Sequence, residues 1–369
     1  MALSVSLSYL GYEASRERPN IVVDGSPNEG TVLTLTHWPG YPVAPELQAD
    51  LSAGIAFKYL NQVISGAAVE PAEFVTNNHF DQDGLVAAHA LVNPEESLPH
   101  RDLLCDLAAA GDFAVYRDRR AARASMVFSR LAEREMTGDY GSFIDELYRE
   151  ALPMVLPVLL DPDRYRDYWA EEDEELTRAE EAVARRRITF EHHQDVDLAV
   201  VHVPEDFASP GGHRFGGDRF RDVHPMAIHN VVDEFRLLLV SGRRYRFVDR
   251  YESWVQYRNR RVLPRVDLRP GRVAVVDGAP SGHLDGQRAR FVDPRTQSSG
   301  RIDAGRRRGG QPDHQPPALP TPRLGSLRRR VGERRSRRGL LSVGRIRLDR
   351  WIATTEPWTG SARPPPNGS

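Results

Sequence analysis

Residues 75 to 92 read VTNNHFDQDGLVAAHALV, which puts His79, Asp81 and Asp83 at alternate positions just before Gly84 and an apolar run. In extended chain, side chains two residues apart point to the same face. An imidazole and two carboxylates then face one way, and Phe80 and Gln82 the other. Like charges this close repel unless a cation lies between them. One nitrogen with two hard oxygens suits Mn²⁺, Mg²⁺ or Fe²⁺, and zinc less well where thiolates are lacking. Gly84 permits a sharp turn into a helix opening at Leu85, whose N-terminus would offer N–H groups to a phosphate beside the ion. The competing reading is an ordinary N-cap by Asp81 or Asp83, but one carboxylate suffices for a cap.

The elements around this cluster alternate strand and helix. NIVVDG (20–25) and AEFVTNN (72–78) are short strands, and TVLTLTHWPG (31–40) alternates apolar and polar residues up to a Pro-Gly stop. APELQADLSAGIAFKYLNQVI (44–64) and RAARASMVFSRLAERE (120–135) carry apolar residues at helical spacing, and RDLLCDLAAAG (101–111) is a further helix. The expected class is α/β, a mostly parallel sheet with flanking helices spanning residues 1–136. Residues 137–187 are polar and helical, with acids early and arginines late in AEEDEELTRAEEAVARRR, and read as a solvated connector. Strand-like runs return at 188–270 and predict a smaller α+β domain.

HFDQDGLVAA is similar to the first motif of the DHH phosphoesterase superfamily, His-x-Asp-x-Asp-Gly at a strand end. CDLAAAGDFAVY (105–116) resembles its fourth motif, a small-residue helix ending in Gly and an aspartate, here Asp112. NIVVDG resembles the second motif through Asp24, and TLTHWPG with its following helix resembles the third through His37. The order along this chain is then second, third, first, fourth. Ligands of a parallel sheet gather at the carboxyl ends of its strands whatever the strand order, so permutation leaves such a site whole. Thr36-His37-Trp38 stands where the family has Asp-His-His. The resemblance implies two divalent cations, Mn²⁺ or Mg²⁺, held by His79, Asp81, Asp83, Asp112, Asp24 and His37. They would activate a bridging water against a small phosphorylated substrate or short nucleotide, with His79, Asp81 and Asp83 at the reacting centre. The missing acid and imidazole keep a catalytically inactive binding or regulatory protein open as the alternative.

In the second region YESWVQYRNRRVLPRVDLRP alternates Trp254, Gln256, Arg258 and Arg260, and is similar to the substrate-binding domain of that superfamily. Arg258 and Arg260 on one strand face would bind a phosphate bidentately; a solvated basic face is the equal alternative. The family's Gly-Gly-His turn follows its helix, whereas Gly211, Gly212 and His213 precede that strand. His192, His193, His224 and His229 lack the i, i+4 spacing of a helical metal site and read as surface or core histidines, with His224 the candidate for substrate contact.

Charge is divided unevenly. Residues 1–270 carry −14 and residues 271–369 carry +12, within a net charge of −2. The Arg-, Pro- and Gly-rich stretch from 271 cannot bury enough apolar surface to offset its ordering entropy, so it is expected to be a disordered tail. It reads as a solvated tail, as the product of a shifted frame in a GC-rich gene, or as an arm making weak contact with nucleic acid. Cys105 is the only cysteine, which excludes an internal disulfide and a Cys-rich zinc site. The N-terminus lacks the basic and apolar regions of a signal peptide, and no apolar run is long enough to span a membrane, so a cytoplasmic location is expected.

Overall fold

Asn20–Val23 (β2) is a β-branched run buried at every residue, and it occupies an inner position of a four-stranded sheet. The computed structural model describes residues 7–67, 70–136, 138–207 and 223–265. β1 (Ser8–Tyr9), β3 (Thr31–Leu35) and β4 (Phe74–Thr76) complete the sheet in the order β1-β4-β2-β3, and every pairing is parallel. Ile21 stands opposite both Leu33 and Val75, so β2 has β3 on one side and β4 on the other. All four strands therefore end at the same edge, which is where Asp24, His37 and the 79–83 segment emerge.

Helix α1 (Ser52–Ile64) buries Ile55, Ala56, Tyr59, Leu60 and Val63, and α2 (Gln82–Val92) is buried along nearly its whole length. A helix enclosed on all sides needs small or apolar residues throughout, which LVAAHALV supplies. α2 lies between α1 and α4 (Arg101–Asp112), after the single turn α3 (Pro94–Ser97), and α5 (Arg119–Ala132) packs on α4. The helix expected over 44–64 starts only at Ser52, and α2 starts at Gln82 rather than Leu85. Both shifts have one cause. Asp81 caps α2, accepting from the Gly84 amide at 2.8 Å, while Asp83 reaches sideways to cap α1.

The segment 137–187 is not a solvated connector. It forms α6 (Tyr140–Ala151), α7 (Val155–Leu160) and α8 (Arg166–Ala184), which bury Phe143, Leu147, Tyr148, Val158, Trp169 and Leu176. α8 turns only a narrow stripe inward, Trp169, Asp173, Leu176, Ala179 and Ala182, so its polar outer face dominates the sequence. Arg119 ties α5 to that stripe through Asp173 at 2.6 Å.

A second sheet, β5 (Thr189–His193), β6 (Leu198–His202), β7 (Arg236–Ser241) and β8 (Arg244–Asp249), has a parallel β6–β7 pair flanked by antiparallel neighbours, with α9 (Pro225–His229) between β6 and β7 in the chain. Ala199, Val201, Leu237 and Leu239 belong to the same apolar cluster as Ile21, Leu85 and Leu107. The boundaries drawn at 136 and 187 thus cross a continuous core. The strand expected to run through Arg258 and Arg260 ends at Asp249. Beyond it a 3₁₀ turn at Tyr251–Ser253 drives Tyr251 and Val255 into a small cluster with Phe113, bending the chain toward the first sheet. Gly211, Gly212, His213 and the tail from 271 lie outside the described residues. Among the described residues, no helix is long and apolar enough to cross a membrane.

Candidate metal centre

Asp24 follows β2 directly and adopts a left-handed backbone, φ 45°, which costs a non-glycine residue about 1–2 kcal/mol. Its amide donates to Leu35 O at 3.0 Å, which holds the turn. Because β2 lies between β3 and β4, the Asp24 carboxylate stands between what the two neighbours deliver. On the β3 side, His37 Nε2 is 3.3 Å from Asp24 Oδ1, 3.8 Å from Asp83 Oδ2 and 3.5 Å from Asp112 Oδ2. On the β4 side, His79 Nε2 is 3.4 Å from Asp24 Oδ2 and 2.6 Å from Asp81 Oδ2. The ligand atoms of Asp24, His37 and Asp83 lie within 4.8 Å of one another, as do those of Asp24, His79 and Asp81. All six residues singled out in the sequence meet at one edge, and Asp24 belongs to both triads.

They do not meet by alternation along an extended strand. Asp81 is a cap and Asp83 lies in the first turn of α2, so the two carboxylates diverge. Asp83 accepts from the amides of Ser52 (2.7 Å) and Ala53 (2.8 Å), because Leu51 at the head of α1 offers no side-chain cap. Asp112 ends α4, and Gly111 lets that helix approach. A Cβ there would lie 2.5 Å from Gln82 Cβ, on the first residue of α2. Gly84 is needed for a similar reason, since its Cβ would collide with Asn77 Nδ2 and with Tyr148 Oη at 2.7 Å. Its sequence role as a sharp turn is replaced by close packing inside the helix.

The site is almost dry. Asp24, His37, Asp83 and Asp112 have side chains at most 2% exposed, whereas His79 is 19% exposed and marks the open side. Burial alone would raise Asp24, but the His37 and His79 imidazoles facing it at 3.3 and 3.4 Å hold its carboxyl below the usual range. Burial opposes charge on His37 and His79, yet Asp24 lifts the first to about 9 and Asp81, with Asp24, lifts the second to about 10. Burial, then the charge of Asp24, pushes Asp83 up to about 7, and burial with four neighbouring carboxylates pushes Asp112 well up. Four acids and two imidazoles in this volume are short of positive charge.

Asp24 Oδ2, His37 Nε2 and Asp112 Oδ2 are buried without a hydrogen-bond partner. Such atoms cost about 1–3 kcal/mol each when left unsatisfied. Their donor chemistry, imidazole nitrogen with carboxylate oxygen, is that of a divalent-cation site. His37 Nδ1 meets Asp50 O at 2.5 Å, and a carbonyl only accepts, so Nδ1 carries the proton and Nε2 faces the acids.

The other sequence candidates lie elsewhere. Arg260 donates to Asp197 Oδ1 at 3.0 Å and sits 3.4 Å above the Phe235 ring. Arg258 keeps an exposed guanidinium, with a 3.3 Å bond to Gln256 Oε1, but no strand face pairs it with Arg260. His224 caps α9 through Met226 N at 3.3 Å and faces Glu172 of α8 at 3.4 Å, a structural role. Two contributors escaped sequence reading. Ser52 Oγ donates to Asp24 Oδ1 at 2.7 Å and accepts from His37 N at 3.1 Å. Glu252, paired with Arg250 in the interior, adds negative charge beside Asp112. Ser52 fell inside the helix expected over 44–64 and so carried no signal of its own, and Glu252 offered none.

Fold and site together define an α/β protein with an acid–histidine centre at the carboxyl edge of a parallel sheet. Residues 5–271 match the model of a family described as a family of unknown function (DUF6687), and the chain belongs to that family. No curated protein and no solved structure matches the chain.

Proposed function

We propose that this protein is a metal-dependent phosphoesterase that hydrolyses a phosphodiester or phosphomonoester at a dinuclear divalent-cation centre. The observation that carries the reading is the position of Asp24, one buried carboxylate shared by two acid–histidine triads. His37 and Asp83, with Asp112 beside them, would hold one ion, and His79 and Asp81 the other, with Asp24 between. Bound divalent cations lower the pKa of water toward neutrality and offset charge on a phosphoryl oxygen. The resemblance of HFDQDG to the first motif of the DHH phosphoesterases supports Mn²⁺ or Mg²⁺ and a small phosphorylated substrate.

The chain's own groups set the remaining requirements. Asp50 O fixes the His37 imidazole with Nε2 inward, Ser52 Oγ orients Asp24, and the burial of four ligands excludes bulk water from that side. His79 lies at the open side, so substrate approaches there, past Trp38, whose ring is 5.1 Å from the imidazole. A catalytically inactive binding or regulatory protein is the second reading, favoured by Thr36 and Trp38 on either side of His37, where neither side chain is a good ligand for a hard cation. Hydrolysis of bis(p-nitrophenyl) phosphate separates the two. The phosphoesterase requires turnover that depends on added Mn²⁺ and is abolished in Asp81→Asn; no turnover with any divalent cation assigns the protein to binding.

A further inference from the structure

We infer that the segment Tyr251–Asn259 is a positioning clamp for His37, with Gln256 and Asp50 as its working residues; the inference rests on the metal-centre reading above. His37 lies two residues beyond the end of β3, outside any regular element, so the sheet ladder does not fix it. Ser52 Oγ accepts from its amide at 3.1 Å, and its carbonyl is held from the far end of the described chain. Gln256 N donates to His37 O at 2.8 Å. The same residue's Nε2 donates to Trp38 O at 2.6 Å and to Tyr41 O at 3.0 Å. One glutamine thus ties three carbonyls of the 37–41 loop, each across a separation of more than 200 residues.

Asp50 makes the second half of the clamp. Its carbonyl takes the His37 Nδ1 proton, while its carboxylate Oδ1 accepts from Arg258 N at 2.5 Å and Asn259 N at 3.2 Å. The group that orients the imidazole is therefore itself held by the segment that holds the histidine backbone. Aromatic rings close the gap between the two. Tyr251 meets the His37 ring edge-on at 5.8 Å, and Trp254 meets Trp38 edge-on at 5.4 Å. His79, by contrast, takes its backbone bond from its own loop, through Asn77 Oδ1 at 3.1 Å. The segment that follows the second sheet thereby holds the backbone of His37 directly and reaches His79 only through the Trp38 ring, 5.1 Å from its imidazole.

This asymmetry is what distinguishes positioning from packing. Outer partners of metal ligands typically change affinity by 10–100-fold. Titration of the full-length protein with Mn²⁺, followed calorimetrically, is expected to show two equivalents in the wild type. Gln256→Leu, which keeps bulk but loses the side-chain donors, should weaken one equivalent by 10–100-fold and leave the other unchanged. Asp50→Ala should do the same, and Asp50→Asn, which keeps an acceptor oxygen, should restore it. Two equivalents with wild-type affinity in both Gln256→Leu and Asp50→Ala overturn the clamp alone. Equal weakening of both equivalents, tracking a fall in Tm, also overturns it, because that is the signature of general packing. A wild type that binds no Mn²⁺ overturns the metal centre and the clamp together. If Asp50→Ala does not fold, Gln256→Leu decides the question.

Discussion

The carboxylate of Asp83, in the first turn of α2, accepts a 2.7 Å hydrogen bond from the amide of Ser52, the first residue of α1. A helix whose own N-cap residue is leucine is capped by its neighbour, so the head of α1 and the acid–histidine centre share one carboxylate.

Asp83 therefore has two separable functions, and substitution should split them. Asp83→Ala leaves two buried amides without an acceptor, and loss of a cap costs about 0.5–2 kcal/mol. Asp83→Asn retains a carbonyl oxygen for the amides and should unfold within a few tenths of a kcal/mol of wild type in urea. Both variants lack the anionic ligand beside His37, so both should lose one tightly bound Mn²⁺. An Asp83→Asn protein with wild-type stability and wild-type metal stoichiometry would sink the ligand role while leaving the cap intact.

Stability of the metal-free protein should fall as pH rises. His37 and His79 are raised from ordinary values near 6.5 to about 9 and about 10, so their contribution is complete below 6.5 and is lost as pH climbs through those folded values. Asp83, raised to about 7, keeps a proton in the folded state that the unfolded chain releases near 3.8, which gives the same sign between those values. Asp24 has the opposite sign, but its stabilisation is already complete well above 3.8. Thermal melts in EDTA should thus give a lower Tm at about pH 9 than at about pH 6. Cations replace the protons, so Mn²⁺ should flatten or reverse this slope, adding about 2.7 kcal/mol at a hundredfold excess over Kd. Equal Tm values at the two pH values in EDTA would contradict the electrostatic account of the cluster.

How much of this was visible in the sequence depends on distance along the chain. The β-branched runs at 20–25 and 72–78 and the small-residue helix at 101–111 were readable because local period and composition decide them. The six residues of the centre were readable because parallel strands must all end at one edge, so acids and histidines at strand ends converge without any knowledge of strand order. The direction in which each side chain turns was not. Asp83 was expected to share a face with Asp81, and instead turns toward α1, because the vacancy at Leu51 lies thirty residues upstream and no local pattern records it. α8 was misread for a related reason. Its buried stripe is one residue wide per turn, and the charges around it dominated the composition. Arg260 reads as a phosphate ligand only if the strand continues past Asp249, where the 3₁₀ turn and the buried Arg250–Glu252 pair end it.

Gly111 tests whether close helix approach, rather than ligand identity alone, builds the centre. α4 can bring Asp112 within 3.5 Å of His37 only because residue 111 has no side chain to hold it off α2. Gly111→Ala gains helix propensity, worth about 0.8–1 kcal/mol at an exposed site. Here the added methyl meets Gln82 Cβ and Cδ, at 2.5 and 2.8 Å, and overpacking typically costs about 1–3 kcal/mol. Gln82 cannot swing away cheaply, because its Nε2 is bonded to Ser125 O at 3.0 Å and Ser129 Oγ at 2.9 Å on α5. The steric cost should win, giving a net loss of stability in urea unfolding and weaker binding of the ion beside Asp112, with the ion beside Asp81 retained. A more stable Gly111→Ala protein would show that α4 has room to spare, and that the glycine is not what brings Asp112 to the centre.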